Sequence, residues 1–108
     1  MARSVDTKKL KQLTDALKEE FNPSRIFLFG SRANGSARKD SDYDFLLVVK
    51  KTKGSRAENM LRASKSVKHI DAIVDVFVYS EKEFNEWKDE LSSIPETAVN
   101  TGKEIDLG

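Results

Sequence analysis

The sequence predicts a small α/β fold in which helices flank one mixed β-sheet. Three short segments have the composition of strands: 25–29 is almost wholly apolar, 43–50 alternates, and 71–79 is rich in Ile, Val and Phe. Between and around them, apolar residues recur at three- and four-residue steps. The connector between the first two strands is short enough for antiparallel pairing, so we expect a mixed sheet.

The first helix is predicted over residues 5–21. Its apolar stripe consists of Leu10, Leu13, Ala16, Leu17 and Phe21. Asn22-Pro23 ends the helix, because the residue before a proline disfavours helical backbone. The strand 25–29 follows and ends at Gly30.

The connector after Gly30 is polar. Residues 31–34 can form a short helical turn, and 36–41 are expected to form an exposed, mobile loop. In the second strand, 43–50, side-chain alternation places Asp42 and Asp44 on one face.

A second long helix is predicted to run from about Ala57 to Lys68, followed by the third strand, 71–79. Ser80 then begins a third helix, and Glu83 three residues later completes a capping box. We expect this helix to bury an inner stripe formed by Phe84, Trp87 and Leu91. A last turn around 97–99 and an apolar tail, compatible with one more short strand, are expected to complete the chain.

Composition narrows the class of protein. The chain has 108 residues, which predicts one domain over 1–108, and no cysteine, which excludes disulfides and thiolate metal sites. A net charge of +1 gives no case for bulk nucleic-acid affinity. We find no signal-peptide pattern and no apolar run of membrane-spanning length, so a cytoplasmic location is expected.

Asp42 and Asp44 are the first candidate site residues. On one strand face their β-carbons lie roughly 6–7 Å apart, since a strand rises ~3.3 Å per residue. Their ionised forms repel each other, and a divalent cation removes that penalty. Oxygen ligands favour Mg²⁺ or Mn²⁺. The alternative is a plain turn in which Asp42 caps a backbone amide.

Gly30-Ser31 is a candidate phosphate-binding turn. Glycine permits close approach of the backbone, and the serine hydroxyl and following N–H groups can donate to phosphate oxygens. Arg32 and Lys39 could add positive charge. The alternative is a strand-ending glycine followed by a capping serine.

Asp75 is the third acid of interest, because it lies within an apolar strand. Ile73 and Phe77 share its face and are expected to be at least partly buried. A carboxylate in such surroundings has to be paired, neutralised or metal-bound. A structural salt bridge is the competing explanation.

These residues carry a resemblance to a known family. Gly30-Ser31, ten residues, Asp42-x-Asp44 and an isolated Asp75 resemble the polymerase-beta superfamily of nucleotidyltransferases. The connector Ser31-Arg-Ala-Asn-Gly35 and the step Ser41-Asp-Tyr-Asp44 resemble its minimal nucleotidyltransferases, many of which resemble antitoxins encoded beside helical HEPN-type toxins. The resemblance implies the polymerase-beta-like fold.

The resemblance also implies a role for each site residue. Gly30 and Ser31 would hold the β- and γ-phosphates of a nucleoside triphosphate, and Asp42 and Asp44 would bind two Mg²⁺ ions. Asp75 would share one ion and help to deprotonate the acceptor hydroxyl. The implied reaction transfers AMP from ATP to a tyrosine of the toxin and releases pyrophosphate.

Two other classes of function compete with this interpretation. A non-catalytic antitoxin or accessory subunit could neutralise its partner by binding alone; an acid cluster without cations would then only cost stability. A phosphoacceptor regulatory domain also has an acidic pocket. It is disfavoured because the first strand ends in Gly30-Ser31 with no acid pair directly after it.

Overall fold

The computed structural model describes residues 7–34 and 42–108, which form one mixed four-stranded sheet with helices on both faces. The strands lie in the order β3-β2-β1-β4; β2 and β3 are parallel, whereas β1 runs antiparallel to both β2 and β4. The predicted α/β class and the mixed sheet are confirmed. In chain order the elements are α1 (Thr7–Phe21), β1 (Arg25–Phe29), α2 (Ser31–Asn34), β2 (Tyr43–Val49), α3 (Arg56–Ser66), β3 (Val74–Ser80), α4 (Glu81–Trp87), α5 (Ile94–Thr101) and β4 (Lys103–Ile105).

One face of the sheet holds the larger core. Helices α1 and α3 contribute Leu13, Leu17 and Ala63 to it, and Val67, which caps the C-terminus of α3, also belongs to it. These side chains pack against alternate residues of the strands, among them Ile26, Leu28, Phe45, Leu47, Val76 and Val78. Because β1 and β2 also bury residues of the opposite face, both read as nearly continuous apolar runs.

The opposite face is only partly covered by helices. Phe84 of α4 and Ala98 of α5 pack against Phe27, Phe29, Leu46 and Val48, and the rings of Phe27 and Phe84 stack with centroids 5.6 Å apart. This smaller core occupies one end of the face, and the other end carries the candidate site residues.

The predicted inner stripe of the third helix is wrong in two of its three positions. Phe84 is buried, but Trp87 is 48 % exposed and Leu91 is 87 % exposed. The reason is that α4 ends at Trp87, whose carbonyl accepts a hydrogen bond from the Ser93 hydroxyl at 2.6 Å. Leu91 therefore lies in a connector, and it has no helix to place it on the core.

The chain after α4 contains a helix that the sequence did not predict. Instead of one turn around 97–99, α5 spans Ile94–Thr101, with Ser93 as its N-cap accepting from the Glu96 N–H at 3.1 Å. Pro95 stands in its first turn, where its missing N–H costs nothing. The short last strand is present as β4.

The third strand begins at Val74 rather than at residue 71. Ile73, expected to be partly buried, is 61 % exposed and belongs to neither core cluster. The physical reason is that β3 is an edge strand and that Ile73 stands just before its first residue. No helix in the described ranges is long and apolar enough to span a membrane.

Candidate active site

The turn after β1 brings the backbone against an acidic side chain. Gly30 has a φ of +77°, a left-handed conformation that glycine adopts without a side-chain penalty. A Cβ built on Gly30 would collide with the Asp44 carboxylate. This contact follows from the sheet register, in which Phe29 is paired with Asp44. The turn and the acid are therefore directly adjacent.

Three carboxylates converge at this point. Asp44 of β2 is paired in register with Asp75 of the parallel strand β3. Asp42 precedes β2 by one residue and falls on the same face. One carboxylate oxygen from each of Asp42, Asp44 and Asp75 lies within 4.8 Å of the other two. The donor set is made entirely of oxygen, the ligand type that hard divalent cations such as Mg²⁺ and Mn²⁺ prefer.

Asp44 is the central member of the cluster. Partial burial raises the pKa of its carboxyl group, and the negative charges of Asp75 and Asp42 raise this pKa further. Among the described residues, no hydrogen-bond donor or cationic side chain is recorded on its carboxylate. The arrangement thus concentrates negative charge that a bound cation would neutralise.

Apolar residues, most of them aromatic, lie beside the acids on the same face of the sheet. Phe27, Leu46 and Phe77 make the next row across the sheet after Phe29, Asp44 and Asp75. The rings of Phe29 and Phe77 lie with centroids 6.1 Å apart. This row joins the acid-bearing strands to the smaller core.

The predicted phosphate-binding residues differ in how the structure places them. Gly30 adjoins the acid cluster directly, and Ser31 begins α2 immediately after it. The Gly30 carbonyl accepts a hydrogen bond from the Ala33 N–H at 3.1 Å, which holds the turn tight. Arg32 belongs to α2, but its side chain lies outside the described part of the chain. Lys39 and the predicted loop 36–41 also lie outside the described residues.

Sequence reasoning missed the exposure of Ile73 beside the acids. Alternation along the chain puts positions 73, 75 and 77 on one face, so Asp75 has an apolar neighbour on either side. The alternation of the sequence shows which residues share a face with Asp75. It does not show that β3 lies at the edge of the sheet, where Ile73 is left exposed.

The comparisons with known proteins agree with this geometry. Residues 10–108 match the family model described as nucleotidyltransferase domain. A protein of Sulfolobus solfataricus, provisionally described as a nucleotidyltransferase, is 27 % identical in its crystal structure, with a TM-score of 0.55; the match covers 82 % of this chain and 85 % of that one. A toxin–antitoxin structure with AMP-PNP is 23 % identical and has a TM-score of 0.60, with 93 % of this chain and 72 % of that one covered. No curated protein matches the sequence.

Three acids thus converge beside a glycine turn, at the start of the parallel strands β2 and β3. The family match extends over most of the chain, so the chain belongs to the nucleotidyltransferase domain family. It is an enzyme of nucleotidyl transfer.

Proposed function

We propose that this chain transfers AMP from ATP to a hydroxyl group of a partner protein, with Asp42, Asp44 and Asp75 holding Mg²⁺. One observation carries the proposal: three carboxylate oxygens, from β2, from β3 and from the residue just before β2, lie within 4.8 Å of one another, and the Asp44 carboxylate packs against the Gly30 turn. The predicted stoichiometry is two Mg²⁺ ions, which Mn²⁺ could replace.

The residues present fit such a metal. All three donors are carboxylates, and Asp44 is partly buried between its two acidic neighbours. Bound divalent cations would neutralise charge on the triphosphate and lower the pKa of the attacking hydroxyl. Magnesium commonly uses few protein carboxylates together with substrate phosphates, which suits a small open cluster.

Residues of the chain itself would bind the phosphates and accept the proton. The absent side chain at Gly30 lets the Asp44 carboxylate pack against the turn, and the Ser31 hydroxyl can donate to phosphate oxygens held by the metal. Asp75 would accept the proton of the acceptor hydroxyl. The hydroxyl oxygen then forms a bond to the α-phosphorus, the bond from the α-phosphorus to the bridging oxygen breaks, and pyrophosphate leaves. Arg32 and Lys39 would add positive charge near the phosphates.

The proposed acceptor is a tyrosine of a helical HEPN-type toxin, so that the chain acts as an antitoxin. Two facts support this context: the resemblance of the Gly30 to Asp44 segment to minimal nucleotidyltransferases, and the fold shared with a toxin–antitoxin structure that contains AMP-PNP. The second candidate is an antitoxin that neutralises its partner by contact alone. The shared fold with a toxin–antitoxin structure is compatible with it, but it gives the acid cluster no purpose.

The test is transfer of label from [α-³²P]ATP to the protein encoded beside this chain, in the presence of Mg²⁺. We expect labelling that falls at least about a hundredfold in Asp42→Asn and Asp44→Asn. Asp89→Asn is the matched control, because the Asp89 side chain is 83 % exposed and lies outside the cluster. Stable complex formation without any labelling would favour the second candidate.

A further inference from the structure

We infer that the acceptor hydroxyl reaches this site on an extended polypeptide segment that pairs with the free edge of β3. The inference rests on the proposed function for the reaction itself, but the docking surface is argued from separate observations. These are the direction of the main-chain groups of β3, the residue that closes part of its edge, and the side chains that flank Asp75.

The outer edge of β3 has unpaired main-chain groups beside Asp75. The Ile73 carbonyl accepts from the Tyr43 N–H at 2.9 Å, so position 73 points its main-chain groups at β2. Because this direction alternates along a strand in a parallel pair, Val74 and Val76 point theirs outward. Within the described ranges, no hydrogen bond reaches the outward groups of these two valines.

The same edge is closed farther along the strand. The Val78 carbonyl, which also points outward, accepts from Arg56 Nη1 at 2.9 Å. The Arg56 guanidinium lies 3.9 Å from the centroid of the Tyr79 ring and 3.4 Å from the Glu83 carboxylate. Natural proteins cover exposed edges in this way to prevent unwanted pairing. Arg56 occupies only the Val78 carbonyl. The outward main-chain groups of Val74 and Val76, on either side of Asp75, stay open in the described part of the chain, so the open stretch coincides with the candidate active site.

The side chains around Asp75 suit an apolar polypeptide. Ile73 is 61 % exposed and Phe77 is half-buried, and each stands roughly 6.6 Å along the strand from Asp75 on the same face. A strand added to this edge would place alternate side chains against both. The two positions of such a segment that lie opposite Ile73 and Phe77 thereby gain an apolar contact, and the position between them lies opposite Asp75.

The negative charge of this edge disfavours the end of a nucleic-acid strand as its ligand. Residues 71–78 include two acids and no lysine or arginine. A polynucleotide brought to this edge would set its phosphates against Asp71 and Asp75 without a compensating cation on the strand, whereas phosphate binding depends on such cations. A polypeptide segment that is neutral or basic meets no such repulsion.

Strand addition also supplies the reacting group. Neighbouring strands lie about 4.8 Å apart, so a residue opposite Asp75 projects on the acid face at the distance of a cross-strand pair. A hydroxyl at this position loses its proton to Asp75 and forms the bond to the α-phosphorus, while the bond to pyrophosphate breaks. The acceptor class is therefore a hydroxyl-bearing residue in an extended stretch of protein.

The experiment uses a soluble peptide of alternating valine and threonine with one central tyrosine and lysines at both ends. Its control is the same peptide with alternate backbone nitrogens methylated, which keeps the side chains and removes the donors needed for pairing. Amide hydrogen exchange of the full chain is followed with each peptide. We expect the first peptide to slow exchange at Val74 and Val76 at least about fivefold and the methylated one to leave it unchanged.

A pair of variants tests the apolar contact. Ile73→Gln should weaken peptide binding about tenfold, since the complex would bury much of its side chain. Leu61→Gln is the matched control: Leu61 is 58 % exposed, on α3 at the other face of the sheet, and its substitution should leave binding unchanged. Equal loss in both variants would overturn the docking site.

The two proposals fail in different ways. Protection of Val74 and Val76 without labelling of the tyrosine by [α-³²P]ATP would support the docking edge and count against the transfer to protein. Labelling of an RNA 3′-hydroxyl with no protection at these valines would support nucleotidyl transfer and overturn the docking edge. Failure of the peptide to protect either valine at saturating concentration would also overturn it.

Discussion

Removing the central charge of the acid cluster should stabilise the metal-free protein. At 4.8 Å, two unit charges in an effective dielectric of about 20 repel by about 3.5 kcal/mol, and Asp44 has two such neighbours. Water around the partly exposed carboxylates and rotation of their side chains reduce this sum. We therefore expect Asp44→Asn to raise the free energy of unfolding by about 1–2 kcal/mol in the presence of a chelator.

Urea unfolding with and without Mg²⁺ measures the effect. For a domain of this size, a gain of 1 kcal/mol corresponds to a melting temperature about 4–8 °C higher, so thermal unfolding can serve as a second probe. With Mg²⁺ at about 100 times its dissociation constant, the wild type gains about 2.7 kcal/mol. If the lost ligand raises the dissociation constant about a hundredfold, the variant gains only about 0.4 kcal/mol, so the order of stabilities reverses.

Asp71→Asn provides the control for the change in net charge. Asp71 is exposed and lies outside the cluster, so its substitution should leave stability within about 0.5 kcal/mol of the wild type under both conditions. If Asp44→Asn is less stable than the wild type in the presence of a chelator, the reasoning is refuted, because Asp44 would then stabilise the metal-free fold.

Four further substitutions test the surroundings of the site and the sheet. Gly30→Ala should lower the free energy of unfolding by about 1–3 kcal/mol and abolish transfer, because φ is +77° and the new methyl group collides with Asp44; unchanged labelling would contradict this. Glu104→Gln should cost less than about 1 kcal/mol at neutral pH. The hydrogen-bonded guanidinium of Arg25 lowers the pKa of Glu104 in the folded protein. The ion pair therefore stabilises the fold above the pKa that Glu104 has in the unfolded chain, and this stabilisation disappears as the pH falls through its pKa in the folded protein. In a pH series of urea unfolding, the free energies of unfolding of wild type and variant should converge in acid. Phe84→Ala should cost about 3–5 kcal/mol by urea unfolding, and Trp87→Ala clearly less, because only Phe84 is buried; equal costs would contradict the assignment of the smaller core.

Much of the fold could be predicted because its signals are local. The apolar stripe of α1 and the alternation in β2 follow from backbone periodicity alone. The same alternation placed Asp42 and Asp44 on one face. The position of Asp75 required more, since only the parallel pairing of β2 with β3 puts Asp44 and Asp75 in register.

The errors came from tertiary context and from one overlooked local signal. Trp87 and Leu91 have helical spacing with Phe84, but the spacing could not show that the helix ends at Trp87. The signal for a separate helix was present: Ser93 is followed by Pro95 and by Glu96, the pattern of a capped N-terminus. The exposure of Ile73 had no local signal, because it depends on which strand lies at the edge of the sheet.

The most direct test of the central claim compares ATP labelled at the α-phosphate with ATP labelled at the γ-phosphate, using the protein encoded beside this chain as the acceptor. If the acid cluster serves nucleotidyl transfer, label from the α-position should appear on the acceptor, label from the γ-position should leave with pyrophosphate, and Asp75→Asn should remove the α-label while the protein stays folded. Transfer of the γ-label, or full α-labelling by a folded Asp75→Asn protein, would contradict the account.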